Sequence, residues 1–220
     1  MGQQPDEGAQ FPAILFDLDG TLIDSNYHHV EAWSEALRSA GVVIPLWKIH
    51  RRIGMSGKSF LKELLRELAH KKRSLNLEKL EKKHDILFRR LISRLAPLPG
   101  ANELLKHLAR QQVRIAIATT GGQAQTSSLL KRLELPRKIE IVTGDDVEKA
   151  KPSPDIFVAA AQRLQIAIGD CIVVGDSAWD MLAAGRKSAL GVVAGASGTG
   201  SAHAPANPAK FFSTSATNAS

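Results

Sequence analysis

The chain has 220 residues, of which 44% are hydrophobic and 23% charged, with a formal net charge of +7 and one cysteine, Cys171. That length suits one domain or a domain carrying an insertion. The lone cysteine excludes an internal disulfide framework and fits a reducing, cytoplasmic setting, and no apolar run approaches the ~20 residues of a membrane span.

Residues 1–11 form a polar, acidic leader, expected to be disordered. It lacks the basic start and apolar run of a signal peptide, and the serine or threonine of a myristoylation signal. Residues 12–18 then predict a short buried strand, because Ala13-Ile14-Leu15-Phe16 runs straight into Asp17-Leu18-Asp19-Gly20-Thr21. Two carboxylates so close together repel and hold water, which a strand end tolerates when a cation or a reaction uses them.

Three amphipathic helices follow, over 26–40, 58–70 and 76–95, with leucines at i, i+3, i+4 and i+7 in the second and third. Much of the basic charge lies here, within about 48–94. It is expected to form a solvated helix face, the alternative being a positive field that draws in small anionic substrates, and no nucleic-acid or membrane partner is expected. Pro97-Leu98-Pro99-Gly100 breaks the helical pattern.

Beyond it, helices at 101–111, 123–133, 154–165 and 177–187 alternate with strands at 113–118, 139–142, 171–175 and 189–194. Such alternation implies a parallel sheet with right-handed crossovers. The predicted fold class is α/β, a Rossmann-like parallel-sheet core over 12–24 and 97–194 with a helical cap, 25–96, inserted after the first strand. Residues 195–220, rich in Gly, Ala, Ser, Thr and Pro, are expected to be a disordered tail.

In an open parallel sheet, sites form beyond the carboxyl ends of the strands. There this sequence places Asp17 and Asp19, then Thr119 and Thr120, then Asp145, Asp146 and Lys151, then Asp176, Ser177 and Asp180. Carboxylates gathered from several strands suit a hard divalent cation, and Mg²⁺ takes one or two carboxylates together with a phosphate oxygen. Hydroxyl and ammonium groups suit the charge of a phosphoryl group in transfer. One Asp can attack phosphorus. The second, two residues on and pointing the same way along an extended chain, can act as acid and base. Burial and repulsion from Asp17 are expected to raise the pKa of Asp19. Asp145 and Asp146 are expected to be loop acids, and Trp33 and Trp179 packing residues.

The stretches "DLDGT", "IAIATTGG", "KPSPD" and "GDSAWDMLAA", in this order, resemble the four motifs of the haloacid dehalogenase superfamily, and within it the capped phosphoglycolate phosphatase and β-phosphoglucomutase-like branch. The resemblance implies an Mg²⁺-dependent phosphomonoester hydrolase with Asp17 as nucleophile and Asp19 as acid/base. It implies phosphate contacts at Thr119 (with Thr120 beside it) and Lys151, and metal contacts at Asp17, Asp176 and the main-chain carbonyl of Asp19. Asp180 and Ser177 take supporting places. In the cap, Arg52 and Ser56 fall in a stretch similar to the family's substrate loop, and His29 matches a substrate-facing histidine of mutase-like members. The expected partner is a small phosphorylated metabolite, and the expected state a monomer or homodimer. A phosphosugar mutase is the alternative, and so is a catalytically impaired member. The latter arises because residues past 194 lack the strand and helix that usually close the core, which predicts marginal solubility.

Overall fold

The computed structural model describes residues 12–67 and 75–194. The leader at 1–11, the tail at 195–220 and the end of the helix expected over 58–70 lie outside the described residues.

Among the described residues five short strands, β1 (Ala13–Phe16), β2 (Ile115–Ala118), β3 (Glu140–Val142), β4 (Cys171–Gly175) and β5 (Leu190–Val193), form one parallel sheet in the order β3-β2-β1-β4-β5. The chain winds outward from β1 to β3, then returns to the other side of β1. Such a reversal opens a crevice at the carboxyl edge of the central strand. Phe16 is level with Ile117 on one side and Val174 on the other, so the loops after β1, β2 and β4 leave the sheet together.

Both faces of the sheet are covered, which is why its strands read as unbroken apolar runs. Ile14 and Phe16 of β1 pack with Ile115, Ile117, Leu105 and Leu129. Ala13 and Leu15 point the other way, against Ile156, Phe157, Ala160 and Ala183. Leu105 belongs to α5 (Ala101–Arg110) and Leu129 to α6 (Gln123–Leu130) on the first face. Ile156 and its neighbours belong to α7 (Asp155–Arg163), and Ala183 to α8 (Ala178–Gly185), on the second.

Among the described residues, four helices lie between β1 and α5: α1 (Asn26–Ser39), α2 (Leu46–His50), α3 (Gly57–Glu67) and α4 (Leu77–Leu91), the last running into a 3₁₀ turn at Ile92–Arg94. They have a core of their own, with Val30, Trp33, Leu37, Ile49, Phe60, Leu64 and Leu80 buried together. Asn76 starts α4 by accepting the Lys79 amide at 2.9 Å. α2 has no counterpart among the predicted elements, because five residues after Pro45 are too few to display a helical period. The chain enters and leaves this block side by side: Ile23 bridges Pro97, and the Asp24 amide donates to the Ala96 carbonyl at 3.0 Å.

Candidate active site

The turn after β1 explains how two acids share one strand end. The Asp17 amide still donates to Val174 of β4 at 2.8 Å, but the amides of Leu22 and Ile23 both fold back to the Leu18 carbonyl. Gly20 sits at φ +76, and a Cβ there would lie 2.5 Å from Asp176 Oδ2. Only glycine fits both the backbone angle and the close approach.

Below this turn Lys151 is fully buried and its Nζ donates to Asp17 Oδ1 and meets Asp180 Oδ1, each at 2.6 Å. Asp180 is fixed from its other oxygen, which accepts the Ser177 amide at 3.0 Å and the Ser177 hydroxyl at 2.5 Å in a capping box at the start of α8. Asp180 is therefore buried rather than solvent-facing on the first helical turn. Burial works against the Lys151 charge, but the two carboxylates more than offset it and hold its pKa above the usual lysine value. Asp17 is pushed well up, chiefly by burial and further by Asp180 and Asp176, with Lys151 opposing. Asp176, held by Asn26 Nδ2 at 2.6 Å and Thr21 Oγ1 at 3.2 Å, is also raised, first by burial.

Asp19 lies in different surroundings. Its Oδ1 accepts the Ser25 hydroxyl at 2.6 Å and lies 3.2 Å from His29 Nε2, and its Oδ2 accepts the Thr119 hydroxyl at 3.3 Å. Burial raises its pKa, but the His29 charge, the hydrogen bonds from His29 and Ser25 and the Lys151 charge outweigh that, leaving it below the ordinary carboxyl value. This corrects the expectation of a raised Asp19. The negative charge of Asp17 is taken up by Lys151, and a histidine from the cap helix α1 reaches Asp19.

Asp17 and Asp19 open onto a cavity of about 640 Å³ between sheet edge and cap, lined also by His29, Ser56, Lys58, Arg89 and Gly121. Gly54 of the cap, at φ +95, comes down on the core. A Cβ there would lie 2.7 Å from Ser177 Oγ, and its carbonyl accepts the Thr120 hydroxyl at 3.4 Å. Thr120 thus faces the cap loop while Thr119 faces Asp19. Ser56 caps α3, accepting the Ser59 amide at 3.3 Å. Arg52 borders the cavity, but its guanidinium is engaged inside the cap, by Glu67 and by the Lys48 carbonyl at 2.7 Å. Asp145 accepts the Gln123 amide at 2.8 Å, and Asp146 caps the turn at Thr143 and pairs with Arg163. Trp33 is buried against Phe60. Sequence reasoning passed over Ser25, Asn26 and His84. Ser25 and Asn26 directly follow the first motif, which is a signal in itself. His84 is one polar residue on an amphipathic helix and carries none.

Asp17, Asp176 and Asp180 bring carboxylate oxygens within 4.8 Å of one another. An all-oxygen donor set suits Mg²⁺, and the raised Asp17 and Asp176 mark a pocket short of positive charge, which a divalent cation supplies. Asp180 is already taken up by Lys151 and Ser177, so Asp17 and Asp176 are the carboxylates fit to hold the metal.

The chain matches the family described as haloacid dehalogenase-like hydrolase over residues 11–186. It belongs to that family of hydrolases. A crystal structure of a hydrolase from Pseudomonas syringae is 45% identical, superposes with a TM-score of 0.78, and covers 84% of each chain, in keeping with the α/β Rossmann-like core. Hexitol phosphatase A of Escherichia coli is 33% identical over 172 residues, 74% of each chain. The β-phosphoglucomutase of Bacillus subtilis is 31% identical over 171 residues, 75% of each chain. No helix among the described residues is long and apolar enough to cross a membrane.

Proposed function

We propose that the protein is an Mg²⁺-dependent phosphatase that hydrolyses a small phosphorylated, carbohydrate-like metabolite through an aspartyl-phosphate. The observation that carries this reading is the pairing of Asp17, bonded to Lys151 at 2.6 Å, with Asp19 in its own shell of donors, at the mouth of one polar cavity. Phosphatases among the similar proteins support it, hexitol phosphatase A included.

In this reading an Asp17 oxygen forms a bond to phosphorus as the bond to the sugar oxygen breaks. Asp19 gives that departing alkoxide its proton. Thr119, with the Gly121 amide donating to its hydroxyl at 3.1 Å, and Lys151 hold the phosphoryl oxygens while charge redistributes. Asp19, now ionised, takes a proton from a water that attacks phosphorus. Phosphate leaves and Asp17 is restored. Mg²⁺, when bound, screens the phosphate from the anionic nucleophile.

A β-phosphoglucomutase among the relatives favours one second reading, in which the phosphoryl group returns to another hydroxyl of the sugar. Phosphate release from a panel of sugar and polyol phosphates, with and without Mg²⁺, tests both readings beside Asp17→Asn. Metal-dependent release lost in the variant supports the phosphatase. Isomerised sugar phosphate that needs a bisphosphate, with no phosphate released, supports the mutase. Release that survives Asp17→Asn refutes the aspartyl-phosphate.

A further inference from the structure

Behind His29 stands a second histidine that no motif singles out. His84 of α4 is 5% exposed. Its Nε2 lies 3.1 Å from His29 Nδ1, and its Nδ1 lies 3.1 Å from Asp85 Oδ1. The rings are clamped: His84 is stacked on Trp33 at 4.1 Å between centroids, and His29 on Phe88 at 3.8 Å and 8°. Asp85, His84, His29 and Asp19 therefore make one unbroken line from the cap surface, where the Asp85 side chain is 42% exposed, to the candidate acid/base.

The direction of this line follows from donor chemistry. Burial pushes the His84 pKa down to about 4, so its ring carries one proton at neutral pH. An ionised Asp85 can only accept, which puts that proton on His84 Nδ1. His84 Nε2 is then a bare lone pair, and it accepts from His29 Nδ1–H. His29 Nε2 is the ring atom left to face Asp19.

We propose that His84 and Asp85 are positioning residues for Asp19, which fix the ring plane of His29 and the proton on its Nδ1 so that Nε2 alone faces the acid/base carboxylate. The proposal rests on the reading of Asp19 as acid/base, and the geometry of the line is testable without it.

Two variants of the full chain separate hydrogen bonding from packing. His84→Phe keeps an aromatic ring between Trp33 and Phe88 but has no acceptor for His29. His84→Gln restores an oxygen acceptor near the Nε2 position. Ring-nitrogen NMR, with His29 assigned by its own substitution, should show the His29 Nδ1 protonated in the wild type and in His84→Gln. In His84→Phe the proton should be redistributed toward Nε2. With a sugar phosphate, whose alkoxide needs a proton, His84→Phe should lower kcat about 10- to 100-fold, as small misplacements of catalytic groups do, with KM little changed. With p-nitrophenyl phosphate, whose leaving group needs no proton, the loss should be several-fold smaller. His84→Gln should recover most of the rate. An unchanged His29 tautomer in His84→Phe, equal losses on both substrates, or a His84→Gln as slow as His84→Phe would each overturn the proposal. If wild-type protein hydrolyses no phosphomonoester, the phosphatase reading fails while the NMR arm still decides whether His84 fixes His29.

Discussion

Replacing Lys151 by methionine should expose how much of the fold depends on one buried cation. Its ammonium meets Asp17 and Asp180 at 2.6 Å each, and it is wholly buried. Methionine fills a similar volume but removes the charge. It leaves acids whose oxygens, with those of Asp176, lie within 4.8 Å of one another. At an effective dielectric of about 20, two unit charges at that spacing repel by about 3 kcal/mol, which agrees with the 3–5 kcal/mol typical of breaking a buried ion pair. For a chain of this size 1 kcal/mol is worth roughly 2–4 °C in Tm, so Lys151→Met should melt about 10 °C below the wild type in EDTA. The deficit should narrow in millimolar Mg²⁺, since a bound dication offsets the same repulsion, and activity should be lost in both conditions. Thermal denaturation followed by circular dichroism reads all of this. A variant that melts with the wild type in EDTA would refute the claim that Lys151 holds these acids together.

Asp19→Asn should keep the fold and lose about 10²- to 10⁴-fold in kcat on a sugar phosphate, the usual contribution of a positioned acid/base; full turnover in steady-state assays would remove Asp19 from that role. His84 should make stability pH-dependent, because its native pKa is about 4 against 6.5 in the unfolded chain. Below pH 6.5 the unfolded state takes up a proton that the native state refuses, so this contribution is whole above pH 6.5. It drains away toward pH 4, by about 3 kcal/mol in all. Urea midpoints at pH 7 and pH 4.5 should therefore fall further for wild type than for His84→Gln, and equal falls would show that His84 is not held neutral.

The sheet was legible because buried parallel strands are short apolar runs that end in polar groups. Phe16-Asp17, Ala118-Thr119 and Gly175-Asp176 each mark the end of a strand to within a residue. Helix ends were less legible. The helix expected over 123–133 stops at Leu130, and the one over 76–95 gives way to a 3₁₀ turn after Leu91, since an apolar period continues past the last turn that tertiary packing supports. In the cap, Arg52 shows a limit of another kind. A cationic loop residue suits a phosphorylated substrate, but Glu67, fifteen positions along, takes up its guanidinium, and only the packing of α2 against α3 brings those two together. The same holds for His84, which meets His29 across fifty-five positions of chain.

The two acids of the first motif also show why spacing alone misjudges charge. Asp17 and Asp19 are two residues apart, and repulsion between them was the expected source of a raised Asp19. In the fold it is Asp17 that stands high, among Asp176 and Asp180, while Asp19 stands low among His29, Ser25 and Thr119. Pairs of carboxyl groups driven apart in this way take different chemical roles. An acid held low parts with a proton readily, which suits donation to an alkoxide, but it then needs a proton source close by. The His29 ring, whose Nε2 lies 3.2 Å away, is the group through which the cap reaches it. It is carried on the first cap helix, so the surroundings of the candidate acid/base in the core are completed by a residue that the inserted helical block supplies.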